Sequence, residues 1–242
     1  MDTPSPAALF ALWERARRLD AVERSRAALR TLGLAEPDLG QLTVGQADTL
    51  LMDLRARAFG ASIAAVAGCP ACGEQVDVEF DLRDVWTPPS GDLGTSASIA
   101  EDDFTVQVRP ACLDDLSRLA CLSSDEDRAV ALLRCCVLEA RKAGELVAVE
   151  EIPPEFVVLL DRALAELDPQ ADVQLSLGCP TCGRAWLVPF DIAAFFWDDL
   201  DAWVRRTARD VGTLAAQFGW AEADILAMGA DRRALYLELT RP

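Results

Sequence analysis

The chain has 242 residues, of which 51% are hydrophobic, so it can form one substantial domain or two small ones with a packed core. Its formal net charge of −17 argues against non-specific binding to nucleic acid or to an anionic membrane surface, because both require a cationic face. The densest groups of basic residues are Arg15, Arg17 and Arg18, and Arg205, Arg206 and Arg209. Both groups stand in amphipathic segments with acids nearby, so we interpret them as solvated helix faces, although a local basic patch could exist.

The N-terminal sequence "MDTPSPAALFALWERARR" has no positively charged leader before its short apolar run. No apolar stretch approaches the roughly 18 residues of a membrane span. We therefore expect a cytoplasmic protein, in which the eight cysteines stay reduced. Paired cysteines in such a protein are better interpreted as metal ligands or buried thiols than as disulfides.

In the first part of the chain, apolar residues at helical spacing predict one helix over 7–32, or two helices broken near Leu19-Asp20. A further helix is predicted over Gln46–Phe59, with Gly60 as its C-terminal stop. Strand-like runs flank a first pair of cysteines, and the segment 87–103 is the most linker-like in the chain. The run "FTVQVRP" predicts another short strand.

Helices are predicted next, because the segments Leu113–Leu122, Asp125–Ala143 and Pro154–Leu167 all carry apolar stripes. The tail predicts a long helix over Ala193–Phe218 and then two short helices divided at Gly229. Helix is therefore the dominant expected structure outside the cysteine-containing segments.

The most informative feature is a repeat around two cysteine pairs. The segments "GCPACGEQVDVEFDL" (68–82) and "GCPTCGRAWLVPFDI" (178–192) agree in register at Gly, Cys, Pro, Cys, Gly, Val, Phe and Asp. Each copy has a helix upstream, an apolar strand leading in and a β-strand leading out. The sequence thus predicts one strand-turn-strand unit that occurs twice.

The cysteines of the repeat, Cys69, Cys72, Cys179 and Cys182, supply the four thiolates that close the tetrahedron of a structural zinc site. Two residues between the cysteines of a pair let a tight turn point both sulfurs at one ion, and the following glycine permits the positive φ that such a turn needs. The pairs are farther apart than the about 15–20 residues usual in zinc ribbons. Closure entropy, however, grows only with the logarithm of loop length, so we predict one shared Zn²⁺.

Thiol redox chemistry is the rival interpretation of a C-x-x-C pair, because a depressed cysteine pKa drives disulfide exchange. In both pairs, however, Pro follows the first Cys and Gly follows the second, and neither pair opens a predicted helix. These features favour metal binding, and loss of the metal from this chain is a further alternative.

The other four cysteines stand beside Leu, Ala and Val in predicted helical stretches, where free cysteine packs as a small hydrophobe. They are Cys112, Cys121, Cys135 and Cys136. Paired acids such as Asp114-Asp115 are interpreted as capping or solvated groups at helix starts. We therefore expect these residues to serve the fold.

Several signatures of enzymes are missing from the sequence. The chain has no histidine, which is the commonest general base, and a four-cysteine zinc site has no open position for a substrate. It also lacks a G-x-G-x-x-G after a strand, a Walker loop and a G-x-S-x-G elbow. We predict that the protein is not an enzyme and has no small-molecule substrate.

The predicted fold class is α+β: predominantly helical, with a small zinc-ribbon-like antiparallel β unit formed by the two C-P-x-C-G strand-turn-strand repeats. The predicted regions are an N-terminal helical region (1–60), the first knuckle with its strands and a linker (61–110), a helical insertion (111–170), the second knuckle completing the β unit (171–192) and a C-terminal helical region (193–242).

Three segments, in this order, resemble a known family. They are "ALWERARRLDAVERSRAALRTL", "LTVGQADTLLMDLRARAFG" with the cysteine knuckle after it, and "LAAQFGWAEADILAMGADRRALYLEL". They are similar to baseplate-associated proteins of extracellular contractile injection systems, related to a T-even-type phage baseplate hub assembly family. The resemblance covers most of the chain and is clearest in 42–82 and 218–239.

This resemblance implies a structural or assembly (chaperone-like) role in the baseplate of a phage-tail-like contractile particle. The implied partners are baseplate or hub proteins, contacted without catalysis. The implied location is the cytoplasm, with the protein either incorporated in the assembled particle or acting only during assembly.

An apolar face in the tail could dock onto such a partner, because aromatic anchors tend to dominate interfaces. Its residues are Trp220, Leu226, Leu235 and Tyr236. The same residues could instead pack the last two helices onto the protein's own core. Two other functions stay open on the sequence: a zinc-ribbon nucleic-acid-binding regulator, which the acidic balance opposes, and a thiol oxidoreductase.

Overall fold

The two cysteine repeats fold as β-hairpins, and helices build most of the rest of the molecule. The computed structural model describes residues 3–87, 96–120, 122 and 124–240. Among these residues, the helices are α1 Pro6–Ala16, α2 Ala21–Arg30, α3 Asp38–Gln41, α4 Val44–Phe59, α5 Leu113–Leu119, α6 Asp125–Cys136, α7 Pro154–Leu167, α8 Ile192–Phe218, α9 Glu222–Leu226 and α10 Ala230–Glu238. The strands are β1 Ser62–Gly68, β2 Gln75–Asp81, β3 Ala97–Glu101, β4 Phe104–Val108, β5 Val137–Lys142, β6 Glu145–Leu146, β7 Gln174–Gly178 and β8 Ala185–Pro189.

The main core lies where α1, α2 and α4 pack against α8. The break expected near Leu19-Asp20 is confirmed, because Asp20 caps the start of α2. Helix α4 follows a capping box of Thr43 and Gln46 and ends at Gly60, whose φ of 98° suits glycine. Fully buried side chains of this core include Leu12, Leu29, Leu51, Leu54, Phe196 and Leu200.

Helix α8 connects two cores along its 27 residues. Its first half contributes to the main core, and its second half buries Val211 and Leu214 against Ile225 and Leu226 of α9. In the part of the chain that the structure describes, no helix, including α8, is long and apolar enough to cross a membrane.

A smaller core lies between a four-stranded antiparallel sheet and α7. The strand order is β3-β4-β5-β6, and Val106 and Val108 of β4 are fully buried. Phe156 and Leu160 of α7 cover this face of the sheet. The region 111–170, which was expected to be a helical insertion, therefore also contains the strands β5 and β6, and β5 pairs with β4 from the preceding region.

Two local predictions in this region are wrong. The helix expected over Asp125–Ala143 ends at Cys136, because the chain then enters β5 and pairs with β4. The linker expected over 87–103 contains β3, which also pairs with β4; its residues 88–95 lie outside the described residues.

The two hairpins form separate antiparallel two-stranded sheets, β1-β2 and β7-β8. Gly68 pairs with Gln75, and Gly178 pairs with Ala185, so the cysteine turns close at equivalent positions. The mixed helical and antiparallel β character of the prediction is confirmed. The expected single β unit consists of two hairpins without a shared ladder among the described residues.

The remaining cysteines lie mostly in the interior. Cys112 and Cys136 are buried, and Cys135 is half-buried. The prediction of core packing for Cys121 concerns a position outside the described residues.

Candidate metal centre

Each cysteine turn is closed by the same two backbone hydrogen bonds. The N–H of the first cysteine donates to a carbonyl five positions later, and the N–H of the glycine donates back to the first cysteine's carbonyl. The bonds are Cys69 N to Glu74 O (2.8 Å), Gly73 N to Cys69 O (2.9 Å), Cys179 N to Arg184 O (2.8 Å) and Gly183 N to Cys179 O (2.9 Å). The glycines have φ of 75° and 72°, a left-handed conformation that disfavours a side chain. The sequence repeat is thus a repeat of backbone geometry.

The two turns bring the four predicted sulfur atoms together. Cys69 Sγ lies 3.7 Å from Cys182 Sγ, and Cys72 Sγ lies 3.6 Å from Cys179 Sγ. All four sulfurs lie within 4.8 Å of one another. This arrangement is compatible with a metal site.

The sulfur distances can be compared with those of known types of cysteine pair. A disulfide would bring two sulfurs to about 2.05 Å, and the four cysteines are free thiols. A tetrahedron with metal–sulfur bonds of about 2.3 Å has edges of about 3.8 Å, close to the two shortest distances seen. The donor set therefore fits one thiophilic ion without a large movement of either turn.

Burial differs between the two cysteines of each turn. Cys69 and Cys179 are buried, whereas Cys72 and Cys182 are exposed. Desolvation raises the pKa of Cys69, but hydrogen bonds from the backbone at Ala71 and Cys72 and from neighbouring thiols lower it to about 7. The Glu74 backbone hydrogen bond lowers the pKa of Cys72, but the hydrogen bonds with neighbouring thiols and desolvation together raise it to about 12.

The repeat extends beyond the cysteines to residues that anchor the hairpins. Phe80 and Phe190, which occupy equivalent positions, meet edge to face with ring centroids 5.6 Å apart. The equivalent aspartates each cap the next helical turn: Asp81 accepts from Arg83 N, and Asp191 accepts from Ala194 N at the start of α8. The sequence showed these identities, but their roles emerge only from the structure.

A buried arginine that the sequence analysis did not identify ties the first hairpin to the helices. Arg55 of α4 is 5% exposed and forms a salt bridge with Asp199 of α8 at 2.8 Å. It also donates to the carbonyls of Gly60 (2.7 Å) and Ser62 (2.9 Å), at the entry to β1. This one guanidinium therefore fixes α4, β1 and α8 relative to one another.

The residues predicted to bind a partner have mixed surroundings. Leu226 is 9% exposed and belongs to the core beside α8, whereas Leu235 is 57% exposed. Trp220 and Tyr236 pack partly against that core, with their ring centroids 4.8 Å apart. Phe218, which was not singled out from the sequence, stacks on Trp220 at 4.6 Å and is 37% exposed.

Comparison with protein families matches residues 32–197 to the family described as T4 bacteriophage base plate protein. The match covers more than half of the chain, so the protein belongs to this family. The matched range includes both cysteine turns and ends within α8, before the aromatic cluster of the tail. Searches of curated proteins and of solved structures found no match.

Proposed function

We propose that this protein is a non-enzymatic structural or assembly protein of the baseplate of a phage-tail-like contractile injection particle. Membership of the base plate family over residues 32–197 is the observation that carries this proposal. Its partners are other baseplate or hub proteins, contacted through protein surfaces. The role involves no nucleic acid, membrane or small-molecule substrate, and the protein works in the cytoplasm before or while it joins the particle.

The proposed cofactor is one structural Zn²⁺ held by Cys69, Cys72, Cys179 and Cys182. The support is the convergence of four free thiols within 4.8 Å and two cross-hairpin distances near the edge of a zinc–thiolate tetrahedron. Zinc suits this donor set because thiolates are soft ligands and the chain offers no imidazole. Four protein ligands fill the coordination sphere, so the ion's role is structural.

The ion would connect two parts of the chain that are otherwise joined mainly by side-chain packing. The first hairpin follows α4 directly, and the second leads into α8. A common ion between their turns fixes the hairpins relative to each other and to these two helices. The protein would then present a rigid surface to its partners, which lowers the entropic cost of binding.

The proposed partner face in the tail consists of Trp220, Leu226, Leu235 and Tyr236. Leu235 is exposed and the two aromatic residues are partly exposed, so they can contact a partner directly. Leu226 is buried beneath them and would support the face from inside.

Gene deletion tests the functional proposal. A strain without this gene should yield few contractile particles with complete baseplates in negative-stain electron micrographs, and a wild-type copy should restore them. Normal, contractile particles from the deletion strain would contradict the proposal. Mass spectrometry of purified wild-type particles would then distinguish a protein that stays in the baseplate from one that leaves after assembly.

A further inference from the structure

A concave groove of about 640 Å³ lies between α1, α2 and α8, away from the cysteine turns. Its lining includes five arginines, Arg17, Arg24, Arg205, Arg206 and Arg209, and only two acids. Four of these arginines belong to the two groups that the sequence analysis interpreted as solvated helix faces, and Arg24 belongs to neither. The fold instead brings Arg17 of the first group, together with Arg24, to the same concave surface as the second group, in a chain whose net charge is −17.

The acids in the groove neutralise only part of this positive charge. Arg205 Nε donates to Asp201 Oδ2 at 2.5 Å, and Trp13 Nε1 donates to the other oxygen of the same carboxylate at 2.9 Å. The second acid, Asp198, is exposed. Arg206 forms no ion pair among the described residues. The groove therefore keeps a net positive charge.

Two tryptophans hold arginines in place within the groove. The Arg17 guanidinium lies 4.8 Å from the Trp13 ring centroid, and that of Arg24 lies 5.4 Å from Trp197. A guanidinium stacked on an aromatic face keeps the N–H groups at its edge available to a carboxylate.

Some polar groups of the groove also lack partners. Trp197 is 8% exposed, and its Nε1 has no hydrogen-bond partner among the described residues; the same holds for Arg24 Nε. Buried donors without acceptors are rare in folded proteins because each costs free energy. Both atoms are themselves enclosed by protein, so a bound segment would meet the exposed guanidiniums of Arg206 and Arg209 instead.

We propose that this groove binds an acidic segment of a partner protein, whose carboxylates engage the arginines while an apolar side chain packs on the tryptophans. Arginine pairs with carboxylates through two parallel hydrogen bonds, which gives both strength and orientation. A nucleic acid fits the groove less well, because its extended polyanionic backbone would also face the acidic remainder of the surface.

The test uses a fluorescein-labelled eight-residue peptide of alternating Glu and Leu. A labelled peptide of alternating Gln and Leu, with the same length, serves as the uncharged control. Fluorescence anisotropy with the full chain should show saturable binding of the acidic peptide only, and this binding should weaken as salt is raised. The variant Arg206→Gln/Arg209→Gln should weaken binding roughly tenfold, because it removes two charge-assisted contacts. Both residues are exposed, so this variant should melt at the wild-type temperature.

The control Arg15→Gln/Arg162→Gln removes the same charge from exposed positions outside the groove and should bind like the wild type. Equal affinity of the two double variants, or no binding of the acidic peptide, would overturn the proposal. Tighter, groove-dependent binding of a single-stranded oligonucleotide would also overturn it. Because binding is measured on the purified chain, failure here leaves the baseplate and zinc proposals standing.

Discussion

Cys72 Sγ lies 3.6 Å from Cys179 Sγ, although 107 positions separate the two residues along the chain. The reciprocal pair, Cys69 and Cys182, has a sulfur distance of 3.7 Å. The first cysteine of each turn thus lies next to the second cysteine of the other, as expected for two equivalent units that face each other. Neither hairpin can complete the four-sulfur cluster alone, and this dependence gives the first prediction.

Replacing Cys69 or Cys179 with Ser should lower the melting temperature by on the order of 10 °C, because a structural zinc ion contributes folding free energy directly. Each variant should also lose the bound ion, since three thiolates leave the site open. The double variant should melt close to either single one, because the second substitution removes a ligand from a site that is already lost. Calorimetry combined with metal analysis measures both effects.

The matched control is Cys135→Ser, which alters a half-buried cysteine outside the cluster. It should retain the ion. If the Cys69→Ser/Cys179→Ser double variant lost as much stability as the two single variants combined, the two residues would stabilise the fold independently. That result would contradict a shared ion.

Replacing Arg55 with Met should lower the free energy of unfolding by about 3 kcal/mol, because Asp199 and the backbone carbonyls of Gly60 and Ser62 lose the buried donor that they share. The control Arg162→Met breaks an exposed pair with Glu166 and should cost less than about 1 kcal/mol. Urea unfolding of the two variants compares them directly. Equal effects would show that burial of Arg55 adds nothing to its contribution.

Replacing Asp48 with Asn should stabilise the protein above pH 7. Burial, together with the charges of Asp191 and Asp168, raises the pKa of Asp48 to about 7. The folded state therefore holds this proton more tightly than the unfolded state, and the associated stability, present below about pH 4, is lost as the pH rises through 7. Ionised Asp48 costs on the order of 2 to 4 kcal/mol, so the variant should gain a similar amount at pH 8.

The measurement for Asp48 is the free energy of unfolding between pH 4 and pH 8, with exposed Asp161→Asn as control. The Asp48→Asn curve should be flatter than those of the wild type and of the control. Parallel curves for all three proteins would contradict an effect of Asp48.

Replacing Asp115 with Asn should change the free energy of unfolding with a pH dependence opposite to that of Asp48→Asn. Desolvation raises the pKa of Asp115, but hydrogen bonds from Arg109 and Cys112 lower it overall, to about 2. Arg109 binds both carboxylate oxygens, at 2.7 and 3.0 Å. This pKa shift contributes about 2 kcal/mol that is present above pH 4 and lost as the pH falls toward 2.

The Asp115→Asn variant should therefore be less stable than the wild type at pH 7, and the two proteins should converge as the pH approaches 2. Acid titration of stability, followed by circular dichroism, gives both curves. A constant difference from pH 7 to pH 2 would show that the carboxylate charge is not responsible.

The sequence predicted the hairpins well because their information is local. Alternating apolar residues define the strands, and the Gly after each second cysteine defines the turn. The identity of Phe80 with Phe190 shows that the repeat extends past the turns, but the contact between the two rings depends on the three-dimensional approach of the hairpins.

The missed features depend on contacts between distant residues. Val137–Lys142 contains good helix formers and becomes a strand because Phe104–Val108 offers a partner edge. The arginine groove arises because α1 and α2 pack beside α8, which places Arg17 near Arg206 despite their separation along the chain. No periodicity within either segment carries that information.

The central claim is that one zinc ion is held by thiolates from both hairpins. X-ray absorption spectroscopy at the zinc edge, on protein purified without added metal, tests this claim most directly. We expect one zinc per chain with four sulfur neighbours at about 2.3 Å, and no bound zinc in Cys179→Ser. A wild-type spectrum dominated by oxygen or nitrogen ligands, or protein with no metal and an unchanged melting temperature, would contradict it.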